Sequence, residues 1–350
     1  YNYTYRSSLR NVDGETKYTT SQIQDEYIGD DVYIYDYDVS GNITSIKTAT
    51  RNSKGTGTLG YGTAQDYVTY SYDDLGQLKK IVDYSDDLVK EFTELNYDAL
   101  GNITKKWVYT RSKADKGEVY DIKDVTYNYG VDPDSDGDGA SEAGWNRLLT
   151  SVTTINYIDG VAQEPETENI DYDEIGNPTT YLGAILTWNG RQLTGYGKDN
   201  TSVLYTYDAN GLRASKTVAK MGKTTVGGIE IPCVEEQTET KYYYVNGNLH
   251  YEERSDGKKL YFYYDSNGYL TSIEYNNINY YTATNKRGDV VAIYDRFGNC
   301  VAKYEYDAWG NILAITDANG IEITDQTHIA HINPIRYRGY YYDSEAKLYY

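Results

Sequence analysis

The chain has 350 residues, 33 Lys and Arg against 53 Asp and Glu, and a net charge of −20. That balance excludes nucleic acid as a partner of this segment, because phosphate binding needs clustered Lys and Arg. It disfavours anionic membrane surfaces, and no apolar run approaches the ~18 residues of a membrane span.

Leu, Ile, Val and Phe are few for a chain this acidic, which points towards disorder. The 44 Tyr against 3 Phe oppose it. A dry core uses both residues, whereas Tyr carries a hydroxyl that needs water or a partner. The surplus therefore predicts rings lying on wet sheet surfaces.

Taken in order, Tyr1 to Arg6 alternates aromatic and polar residues and reads as a strand. Tyr1 falls inside that pattern, so the sequence reads as an interior piece of a longer chain. In Val32 to Asp38, Tyr33, Tyr35 and Tyr37 share one face, and Val32, Ile34, Asp36 and Asp38 the other. Return strands follow at Ile43 to Thr48, Thr69 to Asp73, Leu78 to Asp83, Phe92 to Tyr97, Ile103 to Thr110 and Val119 to Tyr129. Leu148 to Ile158 and Val161 to Tyr172 read as a hairpin about Asp159-Gly160, with Pro165 requiring an edge or a bulge. Val218 to Val234, with several Gly, reads as a loop excursion. Asn246-Gly247, Asp256-Gly257 and Asn319-Gly320 read as two-residue hairpin turns. No window has helical periodicity, and an allowance of ~12 residues per strand and turn gives on the order of 25 strands.

One phrase recurs: Tyr37-Asp38-Val39-Ser40-Gly41-Asn42, then at Tyr97, Tyr172, Tyr294 and Tyr306, with looser copies at Tyr72, Tyr207 and Tyr264. Asp suits the first position of a type I turn, where its carboxylate accepts from an N–H two residues on. Gly supplies the left-handed position of a bulged three-residue hairpin loop. Spacing between copies is uneven, which predicts a meander of hairpins of varied length.

Candidate chemistry is sparse. Gly55 to Gly60 matches a dinucleotide fingerprint letter by letter, but no βαβ unit surrounds it. Asp132, Asp134, Asp136 and Asp138 alternate as a calcium loop begins, although position twelve is Ala143. These four are candidate calcium ligands; a solvated acidic loop is the alternative. His328 and His331 lack neighbouring ligands, and Cys233 and Cys300 read as isolated thiols. Asn42 and Asn102 fit a glycosylation acceptor, and also the turn, which is preferred. At the end of the chain, Arg336, Tyr337, Arg338, Tyr340 and Asp343 suggest Arg stacked on Tyr in a structural cap at one end of the sheet, with a recognition surface as the alternative.

The turn phrases, together with Asn285 to Asn311 and Arg336 to Asp343 followed by Leu348-Tyr349-Tyr350, resemble the YD-repeat, or Rhs-repeat, family. Glu345-Ala346-Lys347 departs from it where the family often has Gly. The resemblance implies an all-β fold, a long antiparallel hairpin ribbon spiralling into a hollow shell or barrel with little or no helix. It places a YD-repeat shell at 1–284 and a core-associated cap at 285–350. Family members include secreted or surface polymorphic toxins whose shell encloses a C-terminal toxin domain as cargo. Some cleave themselves with Asp residues downstream of the core; the sequence stops at Tyr350, so no catalytic residue is carried over. The expected role is a non-enzymatic wall of a secreted or cell-wall-associated toxin, needing no cofactor. The alternative is an adhesin that binds a target-cell surface or a glycan.

Overall fold

The computed structural model describes residues 2–5, 9–12, 15–18, 23–51, 60–85, 88–111, 120–130, 148–226, 229–285 and 287–350. The chain divides into two compact units, Tyr1–Ile170 and Asp171–Tyr350. Each is built on one antiparallel sheet. In the first unit, Asn2–Tyr5 pairs with Ile23–Ile28, and from there each strand pairs with the next as far as Val161–Ala162. Glu166–Asn169 returns to Leu149–Ile158, and Pro165 falls in the gap between these short pieces. Leu9–Val12 and Glu15–Tyr18 form a separate hairpin. In the second unit, 13 strands from Thr180–Tyr181 to Ile312–Thr316 pair strictly in chain order, and the sheet crosses position 284 without a break. Both sheets are open ladders among the described residues. Among the described residues, helix is confined to the single turn Ile329–Ile332 and the 3₁₀ turn Tyr337–Gly339.

The recurring phrase makes the predicted loop. At Asp38 the carboxylate accepts from the N–H groups of Ser40 and Asn42 and from the Asn42 side chain. Gly41, at φ 91°, donates to the Asp38 carbonyl, and Asp38 N–H donates to Asn42. The same backbone bonds close the loops at Asp73, Asp98, Asp173, Asp208, Asp265, Asp295, Asp307 and Asp317. Asn285 to Asp289 is a further copy with Asn in the Asp position. Asp256-Gly257 and Asn319-Gly320 therefore differ from expectation. Each lies in a three-residue loop, because Arg254 and Asp317 close those loops onto the residue after Gly. Asn246-Gly247 is a two-residue turn with both φ positive.

Hydrogen bonds hold the Asp38, Asp173, Asp295 and Asp317 carboxyls below the usual carboxylate range. The leading donor is the side chain of Asn42 for Asp38 and of Asn299 for Asp295; it is the backbone N–H of Asn177 for Asp173 and of Ile321 for Asp317. A folded pKa below the unfolded value of about 3.9 stabilises the fold fully above that value. The contribution is lost as pH falls through the folded pKa. Urea midpoints are thus expected to drop below about pH 4, and less steeply in Asp295→Asn, which keeps the amide-type acceptor seen at Asn285. Identical slopes for the two proteins would contradict this account.

In five of the phrases the tyrosine has a second task. Its hydroxyl donates to a carbonyl on a preceding strand: Tyr37 to Ile23, Tyr72 to Ile43, Tyr97 to Leu78, Tyr207 to Leu193 and Tyr306 to Val290, at 2.6 to 2.8 Å. Tyr129, outside the phrases, donates likewise to Ile103. Burial raises the Tyr72, Tyr97, Tyr207 and Tyr306 pKa values, so these phenols stay donors. This is why Phe cannot replace them. Every residue from Ile43 to Ala49 is half-buried, as wet faces on both sides of a sheet require.

Val218 to Val234 is not a loop. Arg213–Val226 and Ile229–Val245 form one long hairpin in continuous register, apart from a bulge at Lys220/Met221. Its Thr, Val and Ile content outweighs Gly222, whose bare face admits the Glu235 side chain.

Candidate functional site

The second unit concentrates its buried side chains where the end of the chain returns to the sheet. Tyr242, Phe262, Ile273 and Ile293 present one sheet face, and Ile329, Ala330, Ile332 and Ile335 pack on it. The helical turn starts at His328, whose Nδ1 accepts from the Ala330 N–H. His331 Nε2 lies 2.6 Å from the Ile323 carbonyl. Both histidines are thus occupied in holding backbone.

Arg336 is buried, and its forked donors gather the end of that turn. Nε donates to the Asn333 carbonyl and one terminal nitrogen to the His331 carbonyl, each at 3.0 Å. The guanidinium lies 4.8 Å from the Tyr342 ring and 5.8 Å from the Tyr304 ring. Tyr304 donates to the Ala330 carbonyl, and burial pushes its pKa up to about 12. Buried Tyr337 donates to the Ala308 carbonyl and Tyr349 to the Gly310 carbonyl, so the Tyr306–Asn311 phrase is gripped from two sides. Arg338 is different. It sits at φ 52°, exposed, with its N–H donating to Asp289, whose other oxygen takes Arg287 and Asn285.

A buried ion cluster fastens the last ten residues. Asp343, 1% exposed, accepts from Arg213 at 2.6 Å and Lys216 at 3.0 Å. Lys216 also bonds Glu345 at 2.9 Å. The Arg213 guanidinium lies between the Tyr205 and Tyr350 rings, 4.1 and 4.0 Å from their centres. Close by, Tyr341 donates to fully buried Glu252, which Arg254 pairs at 2.8 Å. Burial works against the charge on Lys216, yet Tyr242, Asp343 and Glu345 raise its pKa above normal. Burial also drives the Tyr205, Tyr242 and Tyr341 pKa values upward.

Those directions decide what the arrangement can do. An acid–base catalyst needs a pKa near its operating pH. Here Lys216 and the phenols move away from neutrality, each fixed in one protonation state, which suits holding rather than proton transfer. The cavity beside residues 345–348, lined also by Tyr181, Leu186, Tyr196 and Lys198, measures about 220 Å³. That is below the ~300 Å³ at which small-molecule sites begin.

Of the residues singled out from the sequence, the structure brings Arg336, Tyr337 and Asp343 into the buried face and leaves Arg338 and Tyr340 at the surface. Asp132, Asp134, Asp136 and Asp138 lie outside the described residues, as does the 55–60 fingerprint except Gly60. Among the described residues, no group of three or more His, Cys, Asp or Glu could hold a metal ion. Cys233 and Cys300 are not joined in a disulfide, and the Cys300 thiol donates to the Ala302 carbonyl at 3.5 Å. The Asn42 and Asn102 side chains are engaged by Asp38 and Asp98. Sequence reading missed Arg213, Lys216 and Glu252, whose partners lie 130, 127 and 89 positions away.

The teneurin YD-shell family model matches residues 249–321, which contain the phrases at Tyr264, Tyr294 and Tyr306. Over 191 residues the chain is 37% identical to the tRNA3(Ser)-specific nuclease WapA of Bacillus spizizenii and 36% identical to the tRNA nuclease WapA of Bacillus subtilis strain 168. Residues 249–321 are thus similar to the YD-repeat shell family. The WapA alignments cover 52% of this chain and 7% of each relative. The solved structure of TcdB2-TccC3-TEV matches 94% of the chain and 17% of its own, with a TM-score of 0.53 at 16% identity. TcdB2-TccC3-Cdc42 matches equally, at 0.53 and 17%. At such identity these matches establish a shared fold alone. Among the described residues, no helix is long and apolar enough to cross a membrane.

Proposed function

We propose that this YD-repeat chain is a non-catalytic wall segment of a secreted or cell-surface toxin. The wall encloses a toxin domain carried on the same polypeptide and keeps it from the producing cell. One observation carries the reading: the sheet is sealed by its own repeat. The phrases close their turns with an Asp carboxylate, and several tie themselves to a preceding strand through the Tyr hydroxyl. Such a sheet holds together with both faces wet, which is what a container wall needs. The WapA relatives, named as nucleases, make toxic cargo the natural guest.

A second reading, glycan recognition, has one observation in its favour. On the face opposite Tyr242 and Phe262, Tyr243 stacks on Tyr251 at 4.3 Å, and Tyr251, Tyr261 and Tyr263 ring His250. Limited proteolysis of the full-length polypeptide separates the two readings. A wall leaves the downstream domain resistant until the sheet is unfolded by urea. A downstream domain cut as fast as free domain, with a positive glycan screen that Tyr251→Ala abolishes, would replace the container with an adhesin.

A further inference from the structure

Arg213–Val226 and Ile229–Val245 are the longest strands described, at 14 and 17 residues. Their neighbours are shorter. Thr201–Tyr207 pairs only with positions 213 to 220, and Asn248–Arg254 only with 240 to 245. Beyond those points the two strands run on by themselves as a ribbon, in register from Met221↔Val234 to Val226↔Ile229. Ile229 is 67% exposed and Val234 52%. A two-stranded ribbon is marginal alone, and an unpaired edge is a template for another strand.

The ribbon's two edges are not equivalent. Met221 N–H points outward, donating to the Asn200 carbonyl at 2.7 Å. Antiparallel alternation then turns Lys223 and Thr225 outward too, where no third strand lies among the described residues. On the other edge Pro232 stands opposite Lys223, so the N–H that Pro lacks is an outward one. That edge is interrupted, and its strand carries Glu230, Glu235, Glu236 and Glu239. The open edge carries Lys220 and Lys223. Lys223 meets Glu230 at 3.0 Å, but both ends are mostly exposed and the pair is weak. A second copy docking edge to edge would set these lysine-bearing strands side by side, in a chain of net charge −20.

We propose that the outward edge of Arg213–Val226 beyond Met221 is a docking edge for an extended acidic peptide strand of another polypeptide. The peptide joins as a third strand, exchanging backbone hydrogen bonds with Lys223 and Thr225 and setting carboxylates beside Lys220 and Lys223. The probe is a fluorescent synthetic peptide alternating Val with Thr or Glu, titrated into the intact chain and followed by anisotropy. Wild type should bind it at least tenfold more tightly than a version with Lys in place of Glu. Thr225→Pro, which removes an outward donor, should abolish binding, and Val234→Pro on the interrupted edge should leave it unchanged. Lys223→Glu should weaken it tenfold or more with an unaltered melting curve, which keeps the test valid if the Pro variant misfolds. Absence of binding by wild type, or equal binding by Thr225→Pro, overturns the proposal. So does concentration-dependent dimerisation lost in Thr225→Pro, which would make a second copy the occupant.

Discussion

Asp343→Ala is expected to destabilise the second unit by about 3–5 kcal/mol, the usual consequence of breaking a buried ion pair from one side. Asp343 is the shared acceptor of Arg213 and Lys216, all three nearly inaccessible to water. Without it Lys216 still reaches Glu345, which is partly exposed, but Arg213 loses its only carboxylate in the cluster. Its Nε is already buried without a hydrogen-bond partner among the described residues. The rings of Tyr205 and Tyr350 cannot compensate, since cation–π contacts contribute about 0.5–2 kcal/mol each. Urea unfolding followed by fluorescence measures the loss, and proteolysis should cut first within 341–350. Replacing Arg213, Lys216 and Asp343 together by apolar residues of similar volume should recover most of the stability, because the desolvation cost goes with the charges. An Asp343→Ala protein within 1 kcal/mol of wild type would mean the cluster does not fasten the chain end.

Much of the fold was legible because its information is local. Tyr-Asp-x-x-Gly-Asn fixes a turn within five residues, and alternation fixes the flanking strands, so the hairpin order followed from the sequence. The Tyr excess was legible as a wet-sheet signal, although the acceptor of each hydroxyl was not: Tyr97 reaches Leu78, 19 positions back. The long Arg213–Val226 hairpin was misread because Gly counted as loop, while its partner strand supplied the register. Two-residue turns were over-assigned because Asp-Gly and Asn-Gly also occur inside the three-residue loop, and only the closing hydrogen bond tells them apart. The Arg and Tyr cluster at the end of the chain was visible in the sequence. Which members are buried depends on strands more than 100 positions earlier, as Arg213 bonding Asp343 illustrates.

Gly310→Ala should be the most damaging substitution among the phrase glycines, at about 2–4 kcal/mol, and the reason is a neighbour that the phrase itself does not encode. Gly298 and Gly310 occupy the same loop position, at φ 86° and 92°. A Cβ on Gly298 would meet nothing within 4 Å, so Gly298→Ala bears the left-handed backbone strain alone, about 1–2 kcal/mol. A Cβ on Gly310 would lie 2.5 Å from Tyr337 Cδ1 and 2.7 Å from Cγ. That ring cannot swing aside freely. Its hydroxyl is bonded to Ala308, and the rings of Tyr306 and Tyr349 lie 5.8 and 6.1 Å away. Shifting it would also disturb the Tyr349 bond to the Gly310 carbonyl. Gly310→Ala therefore combines strain with overpacking where Gly298→Ala has strain only. The difference between their unfolding free energies isolates the grip of Tyr337 on the phrase. Tyr337→Ala placed on top of Gly310→Ala should shrink that difference, since the clash goes with the ring. If the two alanine variants prove equally stable, the segment around Tyr337 does not press on the Tyr306–Asn311 turn, and the anchored arrangement of the chain end fails with it.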